Sequence, residues 1–323
     1  MISLTRSSKI QIQANPNRAC RRRHKDVPAG SCDETITPRL RLSVHLYTQQ
    51  SGVSSYLQTA GQGNFGMVGR KHAPDGIERP YNNLLRRLSA SDFALIAPDL
   101  AHEEAAAGNL LYNPGDDVEI VHFPCGPSLA SYLVPNEDGR DVETILVGRE
   151  GAVGGIVSEG YLPAYTRITV KFGGPFVRLH IRKLDAAKIK SATLRNVFAR
   201  YADCLLAQIF QSTACNAIHS IEQRTAKWII SAMERTDGEE VVPLTHEQLA
   251  TLLGVGRSYT SRVMQTFKAE GVLETRRGSI LVRNREALRI RACLCNESVK
   301  NHFEEVLRGV YPTEEAHAAV GPN

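Results

Sequence analysis

The sequence has no run of about 18 apolar residues, so no membrane-spanning helix is expected. It also has no apolar segment of a secretory leader ahead of its cysteines. Seven cysteines are scattered over 323 residues, which argues for reduced thiols in a cytoplasm rather than a disulfide framework. Catalytic signatures are missing too. The glycines of 151–155 come without the lysine and hydroxyl of a phosphate loop and precede a strand-like run, not a helix, and no Ser/His/Asp set stands on a recognisable scaffold. No enzyme is expected. His102, His122 and His180 are dispersed, and the close pair Cys293-Leu294-Cys295 lacks two further ligands within its own stretch. The expectation is therefore no metal site and no cofactor.

What the chain does have is an ordinary globular composition, with 42% hydrophobic residues and room for two domains. The net charge of +5 permits a nucleic-acid partner but does not argue for one until the charges are placed.

Placement is clearest over 244–283, LTHEQLATLLGVGRSYTSRVMQTFKAEGVLETRRGSILVR. Thr245 predicts an N-cap with Gln248 reaching back in a capping box, and Leu249, Leu252 and Leu253 fall on one face of a helix over 246–253. Gly254 predicts its left-handed end. A second helix follows over 257–270, with Val263, Met264 and Phe267 inward and Gly271 closing it, while Val255 plugs the core beneath the turn. That leaves Arg257, Ser258, Tyr259, Ser261 and Arg262 at the amino-terminal end and outer face of the second helix. A recognition helix enters the major groove with this end, and arginine there can fork onto guanine O6 and N7. Strands over 272–275 and 280–283 flank the turn 276–279, whose Arg276 and Arg277 suit a phosphate backbone. The unit reads as a winged helix-turn-helix. As a mere interaction module it would have no need of basic residues on both the second helix and the wing.

The remaining chain is read in order. Residues 1–78 carry the charge run 21–25 and an aperiodic glycine-rich patch, and a disordered extension is expected, with translation from Met67 as a further reading. Short helices over 82–88 and 90–97 are expected as a lid. Strand-like runs at 109–112, 119–123, 128–134, 141–147, 164–170 and 176–181 recur at roughly ten-residue spacing and predict an antiparallel roll over 79–184. From Asp185 or Ser191 to about His219 there is neither proline nor glycine. Leu194, Val197, Tyr201, Leu205, Gln208 or Ile209, and Ser212 recur at three and four residues, predicting a long helix over 185–219, on the order of 50 Å, that pairs with a second copy. A helix around Trp228 (221–233) leads into the DNA-binding domain (220–310), an amphipathic helix spans 286–307, and the tail 311–323 is expected to fray.

This order of parts resembles the Crp/Fnr superfamily of bacterial transcription regulators over about 79–308. It is carried by NNLLRRLSASDFALIAPDL (82–100), LYNPGDDVEIVHFP (111–124), EDGRDVETILVGREGAVGG (137–155) and THEQLATLLGVGRSYTSRVMQTFKAEGVL (245–273). The resemblance implies an α+β chain: a jelly-roll-like antiparallel double-stranded β-roll, a long dimerisation helix and a C-terminal winged helix-turn-helix. It further implies a homodimer on a palindromic operator, with double-stranded DNA and RNA polymerase as partners. By position, Arg257, Ser258 and Arg262 would read bases, with Tyr259 and Ser261 beside them and Thr245 also among the residues expected at the DNA. Family members often have an acidic residue where Ser258 stands. Those that bind cyclic nucleotides follow a Gly-Glu pair with an Arg-Ser pair that grips the phosphate. Here 156–166 has no Arg-Ser, and a buried phosphate without a cation is costly. No tight cyclic-AMP binding is expected. Cys20, Cys32 and Cys125 are too dispersed for the iron–sulfur branch. The competing reading is a protein-interaction or regulatory subunit whose roll controls a separate chain.

Overall fold

The structure, a computed structural model, describes residues 78–137, 141–156, 163–236 and 238–310. The expected disordered extension, the alternative start at Met67 and the tail 311–323 lie outside the described residues.

Helix α1 (Asn83–Arg86) is capped by Asn82 and α2 (Ala90–Ile96) by Ser89, as their polar side chains ahead of apolar residues dictate. The buried Asn82 amide also donates to the carbonyls of Pro124 (2.9 Å) and Gly151 (2.8 Å). Leu84, Leu85, Leu88, Phe93 and Ile96 are all buried. This pair is core, not the expected lid.

Seven strands follow: β1 (Ala101–Ala105), β2 (Leu110–Tyr112), β3 (Ile120–Pro124), β4 (Leu129–Pro135), β5 (Asp141–Val147), β6 (Arg167–Phe172) and β7 (Gly174–His180). They form two antiparallel sheets, ordered β1-β7-β3 and β2-β6-β4-β5. Ala130, Ile145, Val147, Ile168 and Val170 of one sheet share a core with Ala105 and Phe176 of the other. β1, AHEEA, is absent from the strand pattern because it is a polar edge strand held by backbone pairing to β7, and a charged edge resists further pairing.

Helix α3 (Ile181–Lys190) grows directly from β7, so Asp185 lies inside a helix and Ser191 opens the next. The Ser191 hydroxyl accepts the Leu194 N–H and donates to Asp92 (2.6 Å), fixing the break between the two helices. Helix α4 (Ala192–Ile218) has 27 residues and is therefore about 40 Å long, shorter than the expected 50 Å. The first part of the predicted pairing stripe is turned inward instead. Leu194, Val197, Phe198 and Tyr201 are buried against the chain's own helices and roll, whereas Leu206, Phe210 and Ile218 are exposed. Any face offered to a second copy is thus rotated from the predicted one.

Helix α5 (Ile221–Arg235) begins with a capping box of Ser220 and Gln223. Then come β8 (Val241–Val242), α6 (His246–Leu253), α7 (Arg257–Ala269), β9 (Leu273–Arg276), β10 (Ser279–Val282), α8 (Arg285–Arg291) and α9 (Cys295–Arg308). The single helix expected over 286–307 is two, interrupted at Ala292–Leu294. Helix α9 returns to α4: Phe303 meets Tyr201 edge to face at 6.2 Å, and Arg200 donates to the Val306 carbonyl (2.7 Å). A long helix that looks unsupported in sequence is in this way covered along its first half. Among the described residues no helix is long and apolar enough to cross a membrane.

Candidate nucleic-acid interface

The helix-turn-helix follows the sequence closely. Thr245 Oγ1 accepts the Gln248 N–H (3.1 Å) while Gln248 Oε1 accepts the Thr245 N–H (2.9 Å), so Thr245 serves α6 as its cap. Gly254 ends α6 at φ +67°, where a side chain would be strained. Val255 packs against the core below the turn. In α7 the inward set is Thr260, Val263, Met264 and Phe267. This leaves Arg257, Ser258, Tyr259 and Arg262 exposed and Ser261 half-buried. The Arg262 guanidinium lies 5.1 Å from the Tyr259 ring centroid, which orients both on one side of the helix. Arg257 approaches Glu247 of α6 at 3.8 Å, but both are about three-quarters exposed, so the pair is weak and the arginine is available.

The wing is tighter than predicted. β9 and β10 pair from Ser279 with Arg276 to Val282 with Leu273, and only Arg277 and Gly278 form the turn, Gly278 at φ +78°. Arg276 therefore sits at the end of a strand, and its Nε donates to Glu274 (3.3 Å). The second partner of Glu274 is Arg283, at 3.0 Å from Nε. These hydrogen bonds, Arg283 first, hold the Glu274 carboxyl below its usual range. Neither Glu274 nor the third strand β8, which pairs with β10, is flagged by the sequence pattern. A two-residue strand is too short to show alternation, whereas the i, i+2 spacing of Glu274 and Arg276 on one strand face is a signal that reading along the chain passes over.

The helix-turn-helix is seated on the roll. Leu129, Leu133, Leu146 and Phe172 share one core with Trp228, Leu249, Leu252 and Phe267. Trp228 Nε1 donates to Glu143 of β5 (2.6 Å), and the turn at Gly254 abuts Val142. Burial raises the Glu143 carboxyl above its ordinary range despite hydrogen bonds from Ser131 and Trp228.

The family model for the Crp-like helix-turn-helix domain matches residues 223–291. FixK2 from Bradyrhizobium japonicum superposes with a TM-score of 0.52 at 14% identity, covering 60% of this chain and 98% of its own. TTHB099, described as a CRP-family transcriptional regulator from Thermus thermophilus, gives 0.51 at 16% identity, covering 58% and 95%. Residues 223–291 are therefore a Crp-like helix-turn-helix domain, within a chain that has the fold of these regulators. No curated protein matches the sequence. At these identities the structural likeness establishes the fold alone.

The glycine-rich segment of the roll is engaged by the chain itself. The Glu150 carboxylate receives Arg235 Nε (2.7 Å) and the Gly148 N–H (3.1 Å). Tyr201 Oη accepts from the Ala152 N–H and donates to the Ala152 carbonyl, both at 2.9 Å. A Cβ at Gly151 would stand 2.0 Å from the same oxygen, so only glycine admits Tyr201 here. The segment 157–162, most of the stretch in which Arg-Ser is missing from the sequence, lies outside the described residues. The pair Cys293 and Cys295, expected to lack further ligands, is joined by Cys215 and His219 across 78 residues of sequence, a convergence that spacing alone does not show.

Proposed function

We propose that the chain is a sequence-specific transcription regulator that binds DNA as a homodimer, in the cytoplasm, on a palindromic operator. The observation that carries this is the outer face of α7. Arg257, Ser258, Tyr259 and Arg262 are exposed together at the amino-terminal end of a Crp-like recognition helix, with Arg276 and Arg277 exposed on the adjoining wing. The helix residues read base edges and the wing arginines contact phosphates. RNA polymerase is the machinery such binding would regulate.

The dimer is assigned to the second half of α4. Leu206, Phe210, Ala217 and Ile218 are exposed there, and Leu206, Phe210, Thr213 and Ala217 follow steps of four, three and four. That is the heptad seam of paired helices. It would place two copies of α7 on one DNA face about 34 Å apart.

Tight cyclic-AMP binding is not part of the proposal. The Glu150 carboxylate is bonded to Arg235, and Tyr201 of α4 is bonded to the glycine-rich segment. Fluorescence anisotropy with promoter fragments from the source genome tests the function. Binding should be saturable, unaffected by cyclic AMP and steeply weakened by salt as counterions are released. Equal, weak binding to every fragment would refute it.

A further inference from the structure

We infer that Cys215, His219, Cys293 and Cys295 form a binding site for a single tetrahedral, thiolate-preferring divalent ion of the zinc class.

The donor set comes from two places in the fold. Cys215 and His219 are four residues apart at the carboxyl end of α4, His219 being its C-cap, so both side chains reach the same side of the chain. Cys293 and Cys295 flank Leu294 in the break between α8 and α9, and Leu294 is 77% exposed while both cysteines are buried. The alternation of cysteine in, leucine out, cysteine in aims two sulfurs at the end of α4.

The geometry suits one ion. The four ligand atoms lie within 4.8 Å of one another. Cys215 Sγ is 3.6 Å from Cys293 Sγ, and Cys295 Sγ is 3.5 Å from His219 Nδ1. A tetrahedral site with Zn–S of about 2.3 Å and Zn–N of about 2.0–2.1 Å has S···S edges of about 3.8 Å and S···N edges of about 3.6 Å. The donors are thus close to their bound spacing, and too close together to enclose a cluster of several irons. Three sulfurs and one imidazole are also the Cys₃His set of closed structural zinc sites.

The surroundings suit the charge. Binding displaces three protons: three thiols, one neutral imidazole and Zn²⁺ give an ion–ligand complex of net charge −1 and three H⁺. Lys227 Nζ lies 3.4 Å from Cys215 Sγ, and Gln211 Nε2 donates to Cys295 Sγ at 3.0 Å. Such outer donors orient ligands and offset their charge. Cysteines that merely fill a core need no imidazole nitrogen among them, and Cys125 and Cys204, which are buried in the core beneath α1 and α2, have no imidazole described against them.

An ion held here ties the end of α4, where the chain turns at His219 and Ser220 into α5, to the connection between α8 and α9. It therefore fixes the joint between the long helix and the helix-turn-helix unit. The site itself stands apart from the DNA-binding reading, because its test needs no DNA.

The test uses the full chain, purified reduced and without chelator from zinc-supplemented culture. Elemental analysis should give one zinc per chain. After removal of the metal, titration with Co²⁺ should produce the intense visible bands of tetrahedral cobalt and a thiolate charge-transfer band, saturating at one equivalent and abolished by Zn²⁺. Bound zinc should also slow alkylation of Cys215, Cys293 and Cys295 in the native protein. Cys293→Ser and His219→Ala should lower the metal content, and the wild-type cobalt titration decides the matter if those variants do not fold. Absence of any thiolate-to-cobalt band in folded wild-type protein would overturn the proposal. So would full zinc stoichiometry in folded Cys293→Ser, or recovery of metal-free protein with a Cys215–Cys293 disulfide.

Discussion

Arg235 Nε in α5 lies 2.7 Å from a carboxylate oxygen of Glu150 in the glycine-rich segment of the roll. The Arg235 side chain is 9% exposed, so the guanidinium has little water to replace its partner. It keeps hydrogen bonds to Ser231, but these supply no counter-charge. Glu150→Ala should therefore cost about 2 kcal/mol of stability by loss of charged hydrogen bonds and by leaving a buried cation unpaired. Urea unfolding followed by circular dichroism checks it, and a cost near zero would show that the pair holds nothing together.

The Glu143 carboxyl gives a pH signature. Burial raises its pKa in the folded chain. The folded state then binds the proton more strongly than the unfolded state does. Stability is greater at pH values below the ordinary carboxylate pKa and declines as pH rises from that value through the raised one. Glu143→Gln retains an oxygen for the Trp228 N–H and offers an amide to Ser131, both partners of the native carboxylate. Thermal melts from pH 4 to 8 should show this variant more stable than wild type at neutral pH, with a flatter profile.

Arginine roles on α7 and the wing separate by selectivity. Arg262→Ala should reduce discrimination between operator and non-operator DNA by about 1–3 kcal/mol, whereas Arg277→Ala should weaken both alike and lower the salt slope by about one. Competition titrations at several salt concentrations measure the two quantities. Equal, sequence-blind losses from both substitutions would contradict the recognition-helix assignment.

The α4 seam predicts a defined change of state. Phe210 is 68% exposed and stands near Leu206 on the same helical face. Phe210→Glu places like charges opposite each other across a two-fold seam and should shift sedimentation from dimer to monomer, with retained helix content. Leu194→Glu, on the inward stripe, should instead unfold the chain, because Leu194 is buried in its own core.

Most of the helix-turn-helix was legible because its boundaries are local. Thr245 with Gln248, Gly254 at positive φ and the apolar face of α7 act within one or two turns of chain. Strands β2 to β7 were readable from alternation and turn residues for the same reason. What the chain alone did not disclose depends on distant partners. The inward stripe of α4 is amphipathic whether it meets a second copy or α9, and only the return of Phe303 to Tyr201 decides which. β1 is too polar to read as a strand until β7 pairs with it. Cys215 and His219 are ordinary helix residues until the break between α8 and α9 brings two sulfurs to them.

The central claim, a two-fold reader of DNA sequence, is tested most directly by genomic occupancy mapping of the tagged chain in its source cell, beside an Arg257→Ala, Arg262→Ala double variant. The expected result is discrete peaks centred on an inverted repeat whose half-sites lie about 10 base pairs apart, one helical turn or a multiple of it, with loss of those peaks in the double variant. Occupancy without a repeated motif, or the same peaks in wild type and variant, would contradict it.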